Sequence, residues 1–307
     1  MAAPTPIPKT LRTRPFTLAQ ARAAGLSVRM LRGQRFRRVF PYVYICADVP
    51  DTPLIRLAAA MLRVPHAFAT DLSAAQVLGV PVPDDPATYI GIRRGTPRIR
   101  TTGIRVREYV DPPPVIINGG HAVSAAPHVF VQLAERLSFL DLVVAGDAMV
   151  RAGHASLESL RETARSVPGR RGVRVRQASR SVRAGVDSPM ETRLRLLMVL
   201  AGLPEPDINR DVIGRHGGWL ARPDLSYPAQ KIAIEYDGDH HRLDRTQWQR
   251  DIMRRENLEA DGWIVLVITA VDVFQRPAPT LTRILSALDR RGNPDLPGRL
   301  SDDWRRM

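Results

Sequence analysis

Cysteine is almost missing from the chain. Cys46 is the single one, so no internal disulfide can form, and its apolar setting (VYICA) marks it as a small buried residue. A reducing, cytoplasmic setting is the expectation that follows. Long hydrophobic runs are missing as well. No stretch of about 18 uncharged apolar residues occurs, so no membrane-spanning helix is expected. The opening segment MAAPTPIPKTLRTRPF lacks the apolar core of a secretory signal. Lysine is the third shortage: Lys9 and Lys231 are the only two among 45 basic residues, so nearly all positive charge is arginine.

What is present is a 307-residue chain, 44% apolar, long enough for one large domain or two to three small ones. Its net charge is +14 and its pI about 11.1. That balance favours a polyanionic partner, double-stranded DNA foremost, although an arginine-rich genome composition would give the same total. The distribution helps to decide. Residues 1–50 carry nine basic residues and one acid, Asp48, whereas residues 131–307 carry 28 basic against 24 acidic.

The start of the chain reads as a compact helical unit. Thr17 is a natural N-cap for LAQARAAG, which Gly25 ends, and Ser27 caps a second helix, VRMLRGQR. FRRVFPYVYIC is rich in β-branched and aromatic residues and predicts a hairpin. Helix, tight turn, helix and basic hairpin over 1–50 is the plan of a winged helix-turn-helix, whose second helix enters the major groove. Arg29, Arg32 and Arg35 are spaced to share one face of that helix; Arg37 and Arg38 fall on the wing. A solvated basic surface is the bland alternative. The pattern F-T-x-x-Q-A…G-L-S…L-R…F-R-R-V…Y-V-Y resembles the N-terminal domain of AbiEi-type antitoxins over about 45 residues, which implies DNA binding. Tyr42 departs from that pattern, standing where the family usually has glycine.

Residues 51–167 predict a small α+β region. It has helices in LIRLAAAMLRV and DLSAAQVLGV, and strands in TYIGIRR and GIRVREYV paired around the Gly95–Pro97 turn. A further strand is expected at VIING, then two periodic helices in HVFVQLAERLSFLDLVVAGDAMV and HASLESLRETARSV. No catalytic constellation is visible there, and His66, His121, His128 and His154 lack metal-ligand spacing. Residues 168–187 form a basic linker helix in which Arg176, Arg180 and Arg183 can share a face; phosphate tracking and a plain solvated linker are about equally open.

Chemistry concentrates in residues 188–292. Ser188 and Pro189 open a helix with an N-cap and a first-turn proline, which places Glu191 in the first turn, where the helix dipole favours a carboxylate. Asp224 follows a glycine-rich turn. KIAIEYDG alternates as a strand, so Lys231, Ala233, Glu235 and Asp237 share one side. Glu191, Asp224 and Glu235 together supply oxygen ligands for Mg²⁺ or Mn²⁺ while leaving room for water and a substrate phosphate. PTLTRILSALDRR predicts a last helix, and the tail 293–307 is expected to be extended.

These residues carry a second resemblance. S-P-M-E-T-R-L-R…A-R-P-D-L-S-Y-P…I-A-I-E-Y-D-G-D-H-H…R-R-E-N-L-E-A-D-G-W-I-V-L is similar, over about 100 residues, to the endonuclease-like domain related to very-short-patch mismatch-repair endonucleases. That resemblance implies a PD-(D/E)xK restriction-endonuclease-like fold, a mixed sheet flanked by helices. It makes Asp224 and Glu235 metal-site residues, Glu191 the accessory helix carboxylate, and Asp237, His240 and His241 the rest of the site. One departure is plain: the lysine of the E-x-K signature is Asp237 here. Lys231 lies about 13 Å upstream at strand rise. His240 or His241 can act as general base or acid near neutral pH, unless both are solvent-exposed loop residues, and Asp237 can be a further ligand. The expectation is an α/β and α+β multidomain protein acting as a metal-dependent DNA endonuclease. The alternative is an antitoxin-like transcriptional regulator whose nuclease fold is silent.

Overall fold

The computed structural model describes residues 5–97, 100–238 and 245–306, with backbone alone at 245–252 and 306. The chain forms two compact units, one of residues 1–136 and 154–176, the other of residues 137–153 and 177–307. No helix among the described residues is long and apolar enough to cross a membrane.

The first unit opens with α1 (Lys9–Arg12), β1 (Phe16–Thr17), α2 (Leu18–Ala23), α3 (Val28–Leu31), β2 (Phe36–Phe40) and β3 (Val43–Cys46). The Thr17 side chain and Gln20 form a reciprocal capping box at α2, and the Ser27 hydroxyl accepts from Met30 N–H at α3. A small core of Leu11, Phe16, Ala21, Leu26, Leu31, Phe36 and Cys46 holds these elements together. The second helix is shorter than its spacing predicts. It ends at Leu31, so Arg32 is its C-cap and Arg35 lies beyond it; the three arginines Arg29, Arg32 and Arg35 do not share one helix face. The β2–β3 turn places Tyr42 at φ 65°, in the left-handed region. This explains the glycine of the resembling pattern, since a side chain there costs roughly 1–2 kcal/mol. Here the exposed Tyr42 ring stacks under the Arg63 guanidinium at 5.4 Å.

The rest of this unit comprises α4 (Pro53–Arg63), β4 (Phe68–Ala69), α5 (Asp71–Val77), β5 (Thr88–Arg93), β6 (Ile104–Tyr109), β7 (Val115–Asn118), β8 (His121–Ser124) and α6 (Ala126–Leu133). The five strands form one mixed sheet in the order β6-β5-β4-β8-β7. β5 and β6 pair as the sequence predicts, but in parallel, Thr88 opposite Ile104. The connection at 94–103 is therefore a crossover and not a hairpin turn. The long periodic stretch after His128 is also not one helix: it breaks between α6 and α7 (Phe139–Arg151), where Ser138 caps α7 by accepting from Asp141 N–H. α8 (Leu157–Arg165) belongs to the first unit, and α9 (Gly169–Ser181) contains the junction between residues 176 and 177.

The second unit contains α7, α10 (Pro189–Leu200), β9 (Asp207–Ile208), β10 (Val212–Ile213), β11 (Trp219–Ala221), β12 (Leu225–Tyr227), β13 (Ile232–Asp237), α11 (Arg245–Ala260), β14 (Ile264–Thr269), α12 (Ala270–Phe274) and α13 (Pro277–Arg290). Its main sheet is mixed, in the order β14-β13-β12-β9, with β13 and β14 parallel and the other pairs antiparallel. Apolar alternation along β13 sets the two faces. Ile232 and Ile234 join the larger core with Leu194 and Met198 of α10 and Leu281, Ile284 and Leu288 of α13. Ala233 joins a smaller one with Val212, Ala221, Leu258 and Trp263. A buried network ties α7 to α10: Arg195 Nη2 donates to Asp147 Oδ2 at 3.2 Å, and Thr192 Oγ1 donates to the same oxygen at 2.8 Å. The C-terminal tail is not extended. Trp304 is buried in the larger core, Leu296 and Leu300 pack beside it, and Ser301 N–H donates to Ala201 O at 2.9 Å.

Candidate functional site

The site grows from the edge of the β12–β13 pairing. The ladder runs from Tyr227–Ile232 to Leu225–Ile234. Just beyond it Asp224 replaces a backbone acceptor with its own side chain: Oδ2 accepts from Tyr236 N–H at 2.8 Å. On the other flank the Asp224 carbonyl accepts from Asn209 N–H at 3.0 Å. Asp224 is thereby fixed between two strands, half-buried, with its carboxylate toward β13.

Glu191 reaches the same place from α10. The Ser188 hydroxyl accepts from Glu191 N–H at 3.2 Å, setting the first turn. Glu191 is 5% exposed, and its Oε2 accepts from Asp187 N–H at 2.9 Å and from Asn209 Nδ2 at 2.6 Å. Asn209 sits at φ 47° and also donates to Gly185 O at 2.9 Å. Arg222 completes the frame, donating from Nε to Asn209 O at 2.8 Å and from Nη1 to Asp187 Oδ2 at 2.7 Å.

Electrostatics shows that these carboxylates feel one another. The Asp224 carboxyl is pushed up from 3.8 to about 6, first by burial and then by the charges of Glu191, Glu235 and Asp187, against the pull of the Tyr236 N–H. Glu235 and Asp237 lie on the strand side of Ala233, half-buried, opposite Val267 and Thr269 of β14. Among the described residues no three or more His, Cys, Asp or Glu side chains stand together as a ready-made metal cage. Glu191, Asp224 and Glu235 remain the group that could approach one hard cation. His240 and His241 lie outside the described residues.

Lys231 does not share the strand face expected of it. It precedes β13 at φ 51°, in the left-handed region. Its Nζ donates to Asp261 O at 2.8 Å and Oδ2 at 3.0 Å. Lys231 and Arg215 hold the Asp261 carboxyl well below the usual carboxylate range. The single lysine of this unit is therefore engaged away from the Asp224 cluster.

The expected DNA-contacting arginines divide by what already holds them. Arg29 on α3, Arg32 at its end and Arg38 on β2 are exposed. Arg35 Nη1 donates to Thr5 O at 3.0 Å. Arg37 is pinned to Val49 O at 3.2 Å and paired with Asp51 at 3.5 Å. Arg176 Nη1 donates to Val167 O at 2.8 Å, Arg180 is exposed, and Arg183 lies beyond the end of α9, bound to Glu205 at 2.7 Å. These three arginines thus do not form one helix face. Sequence reasoning passed over Asp187, Asn209 and Arg222. The signals were thin: one acid just before an N-cap serine, and an Asn and an Arg flanking a glycine-rich turn.

Fold and site together define a two-unit α/β protein in whose second unit Asp224, beside the central strands of a mixed sheet, feels the charges of Glu191, Glu235 and Asp187. No family model matches the chain. It is 30% identical over 258 residues to the uncharacterized proteins MT2308 and Rv2248 of Mycobacterium tuberculosis, strains CDC 1551 / Oshkosh and ATCC 25618 / H37Rv, covering 82% of this chain and 92% of each relative. The chain belongs to the family that these two proteins represent.

Proposed function

We propose that the chain is a metal-dependent DNA endonuclease, with residues 188–292 as a restriction-endonuclease-like domain and residues 1–50 as a winged helix that holds double-stranded DNA. The observation that carries this reading is the Asp224 carboxyl, raised to about 6 first by burial and then by the charges of Glu191, Glu235 and Asp187, in a chain of net charge +14. Like charges do not gather at a half-buried carboxylate for stability; a cation relieves them.

The donors fit Mg²⁺ or Mn²⁺. All are hard carboxylate oxygens, and Mg²⁺ takes only one or two carboxylates while keeping several waters. Asp224 and Glu235 would hold the ion, with Glu191 as the accessory carboxylate. When bound, the ion supplies Lewis-acid stabilisation of the charge that develops on the phosphate. The protein's own contribution is positional. Tyr236 N–H and Asn209 N–H orient Asp224, and Asn209 with Asp187 N–H orients Glu191. With a carboxyl near 6, Asp224 is mostly ionised at pH 7–8. Deprotonation of the attacking water falls to His240 or His241 in this reading, with Asp237 at the end of β13. Supercoiled plasmid with Mg²⁺ or Mn²⁺ is the test. Nicking by the wild type and not by Asp224→Ala supports the proposal; equal nicking by both refutes it.

A second reading has its own support. Asp237 stands where the E-x-K lysine is expected, and Lys231 is engaged with Asp261. A DNA-binding regulator with a silent nuclease fold accommodates both facts. It predicts DNA binding that is indifferent to divalent cations and to Asp224→Ala.

A further inference from the structure

The first unit holds a cleft of about 610 Å³ that the nuclease reading does not use. Thr70, Asp71, Tyr89, Arg100, Thr101, Arg105, Arg107 and Arg136 are among the residues that line it. Its chemistry is one-sided. Four arginines face a single acid, Asp71, and the apolar lining is confined to Ile104 and Val106.

Asp71 builds the floor. It is 1% exposed and sits at φ 49°, in the left-handed region. Its N–H donates to Gln132 Oε1 at 2.9 Å. Its Oδ1 accepts from Arg136 Nε at 3.2 Å and pairs with Arg107 Nη2 at 3.8 Å. Arg136 is further fixed over the Tyr89 ring at 4.2 Å, and Arg107 is bonded to Glu135. Two guanidinium groups are thus oriented in advance by buried or packed partners. Arg100 and Arg105 are exposed beside them and have no ion-pair partner among the described residues. Thr70 Oγ1, also at the floor, is buried with no hydrogen-bond partner among the described residues.

Pre-oriented guanidinium forks with flanking hydroxyls are what a phosphate group selects, through paired charge-assisted hydrogen bonds. The volume lies in the range of small-molecule sites, roughly 300–1,000 Å³. We propose that the cleft lined by Asp71, Arg105, Arg107 and Arg136 is a binding site for a small phosphorylated ligand of nucleotide size. Asp71 acts there as a positioning residue that aims two arginines.

The test is calorimetric titration of the full chain with pyrophosphate, with ADP and with a short DNA duplex, in metal-free buffer so that the Asp224 cluster does not contribute. Saturable binding of pyrophosphate or ADP is expected. The double variant Arg100→Ala/Arg105→Ala, which removes no ion pair among the described residues, is expected to weaken it at least tenfold with an unchanged melting temperature. Asp71→Asn is expected to weaken it as well, and Arg136→Lys to retain less than half of the wild-type affinity, because lysine lacks the fork. Absence of binding by the wild type at millimolar ligand overturns the proposal. So does unchanged affinity in the double variant. Loss of duplex binding alone in that variant also overturns it, and assigns these arginines to DNA backbone contact.

Discussion

Asp71, at the start of α5 in the first unit, and Asp224, just before β12 in the second, are both aspartates withdrawn from water, but their neighbours differ in sign. Asp71 meets Arg136 at 3.2 Å and Arg107 at 3.8 Å. Asp224 meets one backbone N–H and the fields of Glu191, Glu235 and Asp187. Burying a carboxylate costs free energy unless it is paired. The first unit supplies that pairing from within the chain. The second withholds it and lets the carboxyl rise to about 6. Asp147, inside the second unit, has a guanidinium partner in Arg195, although burial still raises its carboxyl above the ordinary value. Within one unit, then, burial raises both carboxyls, but Asp147 is opposed by a guanidinium and Asp224 is pushed further by neighbouring carboxylates.

The contrast predicts effects of different kinds. The largest is on activity: Asp224→Asn should lower metal-dependent nicking by about 10³-fold, while Glu191→Gln, held by the same Asn209, should cost less, about 10-fold to 10²-fold by the same comparison. Initial nicking rates on plasmid check this, and a reversed order breaks the assignment of roles. Next comes Arg195→Ala, which leaves Asp147 buried without its cation. It should destabilise the chain by about 3–5 kcal/mol in urea unfolding, with no such loss for Asp224→Asn.

The third effect depends on pH. The folded carboxyl of Asp224 near 6 lies above its ordinary 3.8, so the folded state binds this proton more tightly than the unfolded state. In metal-free buffer its contribution to stability falls as pH rises from about 4 through 6 and is constant above that range. Asp224→Asn removes the penalty and keeps an acceptor for Tyr236 N–H. The variant should therefore exceed the wild type by up to about 3 kcal/mol at pH 8, and the gap should shrink toward pH 5. A constant gap would mean that Asp224 is not the titrating group. The smallest effect concerns DNA binding. Arg29→Ala or Arg38→Ala should lower the slope of log K against log salt by about 0.9 for each phosphate contact removed. Arg37→Ala should act mainly on stability, because its guanidinium is already engaged by Asp51 and Val49.

Local chemistry made parts of the fold legible. The caps at Thr17, Ser27 and Ser188 and the alternation of Ile232, Ala233 and Ile234 are written in neighbouring residues, and each appears in the structure. What depended on distant partners was not legible. The parallel pairing of β5 and β6 is set by the sheet and not by the Gly95–Pro97 turn. The early end of α3 and the folding back of the tail onto Trp304 reflect packing that no spacing encodes. The same limit governs the candidate site. Glu191, Asp224 and Glu235 could be picked out by residue type and spacing. Asp187 reaches Glu191 from four residues away, but Asn209 reaches it from 18, and Arg222 reaches Asn209 and Asp187 from 13 and 35. The Asp71 cluster draws on strand, helix and loop residues up to 65 positions apart, and no local pattern announces it.

The central claim is that the carboxylates around Asp224 form a cation site. Calorimetric titration of the full chain with Mn²⁺ at pH 7.5 tests it directly, a condition about 1.5 pH units above the Asp224 carboxyl. The account predicts saturable binding by the wild type, much weaker binding by Asp224→Ala, and unchanged binding by Asp71→Asn. Equal Mn²⁺ binding by wild type and Asp224→Ala, or none by either, would contradict it.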